Sequence, residues 1–200
     1  MERPLLVNKS GGDQGVVGAL RKLTETLAQL GIPYFIGGSL ASSIHGVFRA
    51  TADVDIVASL RSGQIEEIAQ ALTPEFYADS EQMRDALARQ RPFTVIHIPT
   101  AYKFDLFPLT SDPFHQSEFQ RRVQGSVPQA RPAMLLPFAS AEDTILAKLA
   151  WYRRGGETSE RQWTDISQVI EVQGQRLDWG YLKEWALYLK VGDLLHRLAP

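Results

Sequence analysis

Apolar residues at Val17, Leu20, Leu23, Leu27 and Leu30 recur at intervals of three and four, the spacing of an amphipathic helix over 16–30. Gly31 closes it and Pro33 prevents its continuation. Ile32 to Ile36 is a short β-type run that ends in Gly37-Gly38-Ser39, and Leu40 to Val47 is small and helix-compatible, so the unit reads strand, glycine turn, helix. Asp53 to Leu60 is a β-branched strand with acids at alternate positions of its beginning. Helices over about 63–72 and 80–91 follow. Phe93 to Pro99 and Tyr102 to Leu109 are two further strands, joined by Pro99-Thr100-Ala101 as a hairpin, which makes the sheet mixed rather than wholly parallel.

Beyond a Pro-spaced stretch from Val127 to Pro137 the pattern turns helical. Ser140 with Asp143 is a capping box opening a helix to Gly155-Gly156, and Ser159 with Gln162 opens the next, with Ile166, Val169 and Ile170 as its core stripe. Gly174 ends that helix, and Asp178 caps a last one through Leu182, Trp185 and Leu189. Trp151, Trp163, Trp179 and Trp185 all fall in this quarter and are expected to anchor its packing. The expected architecture is α/β (α+β): a small mixed β-sheet with flanking helices over 1–135 and a helical C-terminal subdomain over 136–200. Asn8 to Gly15, with three glycines, reads as a leader whose glycines lack the Lys-Ser/Thr ending of a phosphate-binding P-loop.

Composition narrows the class. With 44% hydrophobic and 22% charged residues and no cysteine, the 200-residue chain is no collagen, coiled coil or disulfide scaffold. Its 21 basic and 23 acidic residues leave a net charge of -2, so a polyanion partner would need a local basic patch. No apolar run approaches the roughly 20 residues of a bilayer crossing, and a cytoplasmic address is the expectation.

Strand alternation projects Asp53 and Asp55 from one face while Val54 and Ile56 enter the core. Two like charges side by side raise one of the pair's pKa values unless a hard divalent cation lies between them; taken alone, the pair reads as a solvated acid-x-acid at a strand edge, and its context changes that. Thirteen residues upstream, Gly38 and Ser39 offer close-approaching amides and a hydroxyl at a helix start, a cradle for phosphate oxygens. Asp105 shares a strand face with Lys103 and Phe107 and supplies a third carboxylate. Three carboxylates can hold the two cations that displacement at a nucleotide phosphate uses. Arg49 has the fork to take a phosphate, or neutralises the acids. Lys148 is otherwise a solvated lysine, and Asp165, four after Arg161, otherwise a surface ion pair. The histidines His45, His97, His115 and His196 show no zinc spacing, and no nucleophile elbow or thiol supports acyl transfer.

The run Phe35-Ile36-Gly37-Gly38-Ser39 with Arg49-Ala50-Thr51-Ala52-Asp53-Val54-Asp55-Ile56 resembles the signature of the polymerase-β-type nucleotidyltransferase superfamily, and Asp105 in Lys103-Phe104-Asp105-Leu106 matches its third carboxylate. Within it, Glu142 to Leu149 and Arg161 to Ile166 look like the AbiEii/AbiGii-type toxin nucleotidyltransferases. The resemblance implies a nucleotidyltransferase core over 1–135 that moves a nucleoside monophosphate from an NTP with Mg²⁺ at a two-metal site. It implies that Asp53, Asp55 and Asp105 bind metal, Gly38 and Ser39 cradle phosphate, Lys148 contacts the triphosphate and Asp165 stands near the attacking group. For an RNA acceptor such as tRNA, Arg89, Arg91, Arg121, Arg122, Arg153 and Arg154 should gather beside the site. A small molecule such as an aminoglycoside, a protein partner of the antitoxin kind, and a non-catalytic nucleotide-binding module are the other expectations.

Overall fold

The computed structural model describes residues 15–198; the leader read at Asn8 to Gly15 lies, apart from Gly15, outside the described residues. Helix α1 (Val16–Gln29) buries Leu20, Leu23 and Leu27, the predicted stripe, and the chain turns at Gly31 into β1 (Tyr34–Ile36). α2 spans Gly38–His45, two residues earlier than the Leu40 start expected from its apolar pattern, because Gly38 itself begins the helix. β2 (Asp53–Ala58), α3 (Ile65–Leu72), α4 (Ser80–Ala88), β4 (Phe93–His97) and β5 (Tyr102–Pro108) follow the predicted order.

Five α-helices and strands were not expected, one of them a short helix, Gly192–His196, beyond the one read as last. β3 (Phe76–Tyr77) is a short edge strand. α5 (Pro113–Gln120) starts at a proline behind an Asp112 cap, a favourable helix opening. β6 (Val123–Ser126) and β7 (Leu135–Phe138) extend the sheet from within and beside the Pro-spaced stretch. The seven strands run β3-β4-β5-β2-β1-β7-β6. β2 pairs parallel with β5 and β1 parallel with β7, while β1–β2, β3–β4, β4–β5 and β6–β7 are antiparallel, so the sheet is mixed.

α6 (Ala141–Arg154) opens on Ser140, whose hydroxyl accepts from the Asp143 amide at 3.1 Å. α7 (Glu160–Gln173), α8 (Trp179–Tyr188) and α9 (Gly192–His196) complete the chain. One hydrophobic cluster joins α1, α2, α3 and the buried face of the sheet. A second gathers Ile145, Leu146, Leu149, Ile166, Val169, Leu182 and Leu194 from the C-terminal helices, with Phe114 of α5 among them. Trp163, Trp179 and Trp185 pack against this second cluster as expected, but Trp151 does not: it is 50% exposed. Among the described residues no helix is long and apolar enough to cross a membrane.

Candidate active site

The open face of the sheet is set by alternation in β2 and β5. Val54, Ile56 and Ala58 are buried on one side, as are Phe104 and Leu106, which leaves Asp53, Asp55, Asp105 and Phe107 on the other. The parallel register places Asp53 beside Lys103, Asp55 beside Asp105, and Val57 beside Phe107. All three predicted carboxylates therefore share one face within two rungs of a single strand pair. Burial pushes the Asp55 carboxyl up to about 6, and the charges of Asp53 and Asp105 add to the effect while Lys148 opposes it. Two hydroxyls hold the flanking acids: Thr51 Oγ1 donates to Asp53 Oδ1 at 3.0 Å, and Thr94 Oγ1 to Asp105 Oδ1 at 2.5 Å. Neither threonine was singled out in the sequence; the observed register, with His97 opposite Tyr102, sets Thr94 opposite Asp105, one residue away from what a three-residue turn at Pro99 to Ala101 would give.

The glycine turn sits on this row. The Gly37 amide donates to the Asp55 carbonyl at 2.9 Å, and Gly38 opens α2 at φ +55°. A Cβ at Gly38 would fall 1.7 Å from Asp55 Oδ2, so only glycine fits between the helix start and the carboxylate. Ser39 follows. Its hydroxyl oxygen accepts from Arg49 Nη2 at 2.6 Å, which uses a lone pair and leaves the hydroxyl proton to be donated elsewhere.

Asp165, Arg49 and Lys148 form one buried ionic cluster. Arg49 donates from Nε to Asp165 Oδ1 and from Nη2 to Oδ2, both at 2.7 Å, and Lys148 Nζ donates to Oδ2 at 2.9 Å. Asp165 is 4% exposed. Burial alone would push its carboxyl up, but the bonds and charges of Arg49 and Lys148 outweigh it and hold the carboxyl below the ordinary range. Asp165 is thus no helix-surface pair with Arg161, and Lys148 is no solvated lysine. Of the two roles open to Arg49, neutralising acid is seen at Asp165. His45 Nε2 lies 2.7 Å from the Ala139 carbonyl, and burial lowers its pKa, so its contacts bind α2 to the segment before α6.

The chemistry of the acidic row suits a hard divalent cation: every donor is a carboxylate oxygen, and both the burial that chiefly raises Asp55 and the repulsion that adds to it are offset by such an ion. Among the described residues, however, no three His, Cys, Asp or Glu side chains are gathered into a ready-made metal cage. The carboxylates form an open row. Several arginines weighed as RNA contacts are engaged with acids instead: Arg89 with Asp85 at 2.9 Å, Arg121 with Glu142 at 3.2 Å and Arg153 with Asp193 at 2.6 Å.

Comparison with solved structures finds the mixed sheet and its flanking helices in a nucleotidyltransferase-type fold. The crystal structure of ANT(2'')-Ia in complex with adenylyl-2''-tobramycin aligns over 87% of this chain and 96% of its own, with a TM-score of 0.53 and 16% identity. The solution structure of the antibiotic-resistance factor ANT(2'')-Ia aligns over 90% and 95%, with a TM-score of 0.53 and 17% identity. A nucleotidyltransferase-like protein from Paracoccidioides brasiliensis aligns over 90% of each chain, with a TM-score of 0.48 and 18% identity. No family model and no curated protein matches the chain. At these identities the likeness is one of fold.

Proposed function

We propose that this chain is an NTP-dependent nucleotidyltransferase whose acceptor is the hydroxyl of a small molecule. The observation that carries the reading is the convergence of Asp53, Asp55 and Asp105 on one face, directly beneath the Gly38-Ser39 helix start. In this reading Ser39 donates its hydroxyl proton to a phosphate oxygen, the α2 amides point the same way, and Lys148 contributes positive charge. Asp165 is a positioning residue that fixes Arg49 and, through it, the Ser39 hydroxyl. Asp53, Asp55 and Asp105 would hold Mg²⁺, which when bound screens the triphosphate and acidifies the acceptor hydroxyl. Asp105 accepts the acceptor's proton. The acceptor oxygen forms a bond to the α-phosphorus as the bond to the bridging oxygen breaks, and pyrophosphate leaves with that electron pair.

A small molecule is favoured over RNA because Arg89, Arg121 and Arg153 are occupied by acidic partners rather than left as a basic track. The small-molecule adduct held by ANT(2'')-Ia points the same way by analogy of fold. The AbiEii/AbiGii-type assignment predicts the opposite acceptor, and one assay separates them. The protein is incubated with α-labelled NTPs, Mg²⁺, and in parallel a panel of aminoglycosides and other polyhydroxylated compounds, total tRNA, or candidate protein partners, beside Asp105→Asn. Label on a small molecule, lost in the variant, is the expected result. Label on tRNA overturns the acceptor assignment, and no transfer to any acceptor with retained NTP binding returns the chain to a nucleotide-binding module.

A further inference from the structure

Trp151 departs from its neighbours. The other three tryptophans pack on the C-terminal cluster, whereas Trp151 is half exposed and meets Phe107 edge to face, with ring centroids 6.4 Å apart and planes at 73°. Both rings stand beside the chemistry already described. Phe107 is two residues past Asp105 on the same face of β5, one rung beyond the Asp55–Asp105 pair. Trp151 is three residues past Lys148 on α6, the spacing that sets two side chains on one side of a helix about one turn, roughly 5 Å, apart. The Arg154 guanidinium lies over the Trp151 ring, 5.3 Å from its centroid, so a planar cation already occupies part of one face of the half-exposed ring, where a base would stack beside or upon it. An aromatic shelf is therefore built from both halves of the chain at one end of the acidic row.

We infer that Trp151, held edge to face against Phe107, is the surface on which the nucleobase of the donor nucleotide stacks; this rests on the nucleotidyl-transfer reading above. The phosphate-directed groups, Ser39 and Lys148, fix where the other end of the nucleotide must lie, and the shelf is the exposed aromatic surface one helical turn from that lysine. Stacking accepts any base, because each presents a π-face. Arg154 adds attraction for an anionic ligand. The donor site is accordingly tolerant of base identity, with ATP and GTP bound to within a few-fold of each other.

The test is a calorimetric titration of the full chain, as wild type, Trp151→Ala and Trp151→Phe, with ATP, GTP and inorganic tripolyphosphate, each with Mg²⁺. The expected result is a roughly tenfold loss of ATP and GTP affinity in Trp151→Ala, unchanged tripolyphosphate affinity, and recovery in Trp151→Phe. Equal weakening of nucleotide and tripolyphosphate would show that Trp151 acts through the placement of Lys148 and overturn the inference. So would unchanged nucleotide affinity, whether or not the acceptor KM rises, the latter assigning the shelf to the acceptor. If wild type binds neither ATP nor tripolyphosphate, the nucleotidyl-transfer reading fails first and carries this inference with it; nucleotide binding indifferent to Trp151 sinks the inference alone.

Discussion

Replacing Asp165 with Asn tests the ionic cluster most directly. The side chain keeps its shape, but its charge goes, and in either orientation an NH2 group now faces the Arg49 fork, and Lys148 as well where it replaces Oδ2, donor against donor. The wild-type carboxylate accepts two bonds from Arg49 at 2.7 Å and one from Lys148 at 2.9 Å, with 4% of the Asp165 side chain, 9% of Lys148 and 25% of Arg49 exposed. Removing one member of so buried a set leaves uncompensated charge, at a cost of about 3–5 kcal/mol. For a domain of this size that lowers Tm by roughly 6–20 °C. Because the Asp165 carboxyl lies below its ordinary range in the folded state, its contribution is complete above the unfolded value near ~4 and is lost only as pH falls through the lowered one. The gap between wild type and variant, measured by urea denaturation, should therefore be flat from pH 5 to 8 and close in stronger acid. Adding Lys148→Met to Asp165→Asn should cost less than the two single losses summed, with a coupling of about 1 kcal/mol or more. A cost below 1 kcal/mol, or a gap that widens toward acid, would refute the reasoning.

Three further outcomes are expected. In a chelating buffer Asp55→Asn should be more stable than wild type at pH 8, by up to about 3 kcal/mol, while in Mg²⁺-containing buffer its turnover is abolished; a raised carboxyl is penalised once ionised, so wild-type stability declines from about pH 4 to 6 and levels above, a slope the variant's denaturation profile should lack. Gly38→Ala should drive a methyl into Asp55 at a left-handed φ, lowering stability by more than about 2 kcal/mol and removing activity, whereas Gly63→Ala, where a Cβ meets nothing, should leave activity intact. Thr94→Val should lower kcat about tenfold with the KM for nucleotide unchanged, and Thr94→Ser should restore it; unchanged kinetics would remove Thr94 from the site.

Most of the sheet was legible because alternation is a local signal. Asp53, Val54, Asp55 and Ile56 display both faces of β2 in four residues, and the short turn at Pro99 to Ala101 announces the β4–β5 hairpin, although the observed pairing of His97 with Tyr102 is shifted by one residue from that turn. β7 was hidden because its four residues include Pro137 and because it is recruited by β1, a hundred residues earlier, through the Ile36–Phe138 pair. α5 was readable in principle from Asp112-Pro113, a cap followed by a proline at the first helical position. The Arg49–Asp165 pair could not be read: its partners are 116 residues apart, and no periodicity links a loop to the middle of a distant helix. Asp165 has a nearer suitor in Arg161, four residues before it, and local spacing favours that pair until tertiary packing buries the carboxylate. Trp151 misled for a related reason, since helical spacing identifies an aromatic stripe without saying which members face a cleft.

Arg49 belongs to the loop between α2 and β2, yet its partner belongs to α7. The strand carboxylates can assemble as soon as the sheet does, but the Ser39 hydroxyl acquires its orienting guanidinium only after the C-terminal helices have docked. Synthesis from the amino end would thus bring the acids together first and complete the Ser39–Arg49–Asp165 chain of hydrogen bonds last, so on the function proposed above the phosphate-directed hydroxyl is the final part of the site to be set.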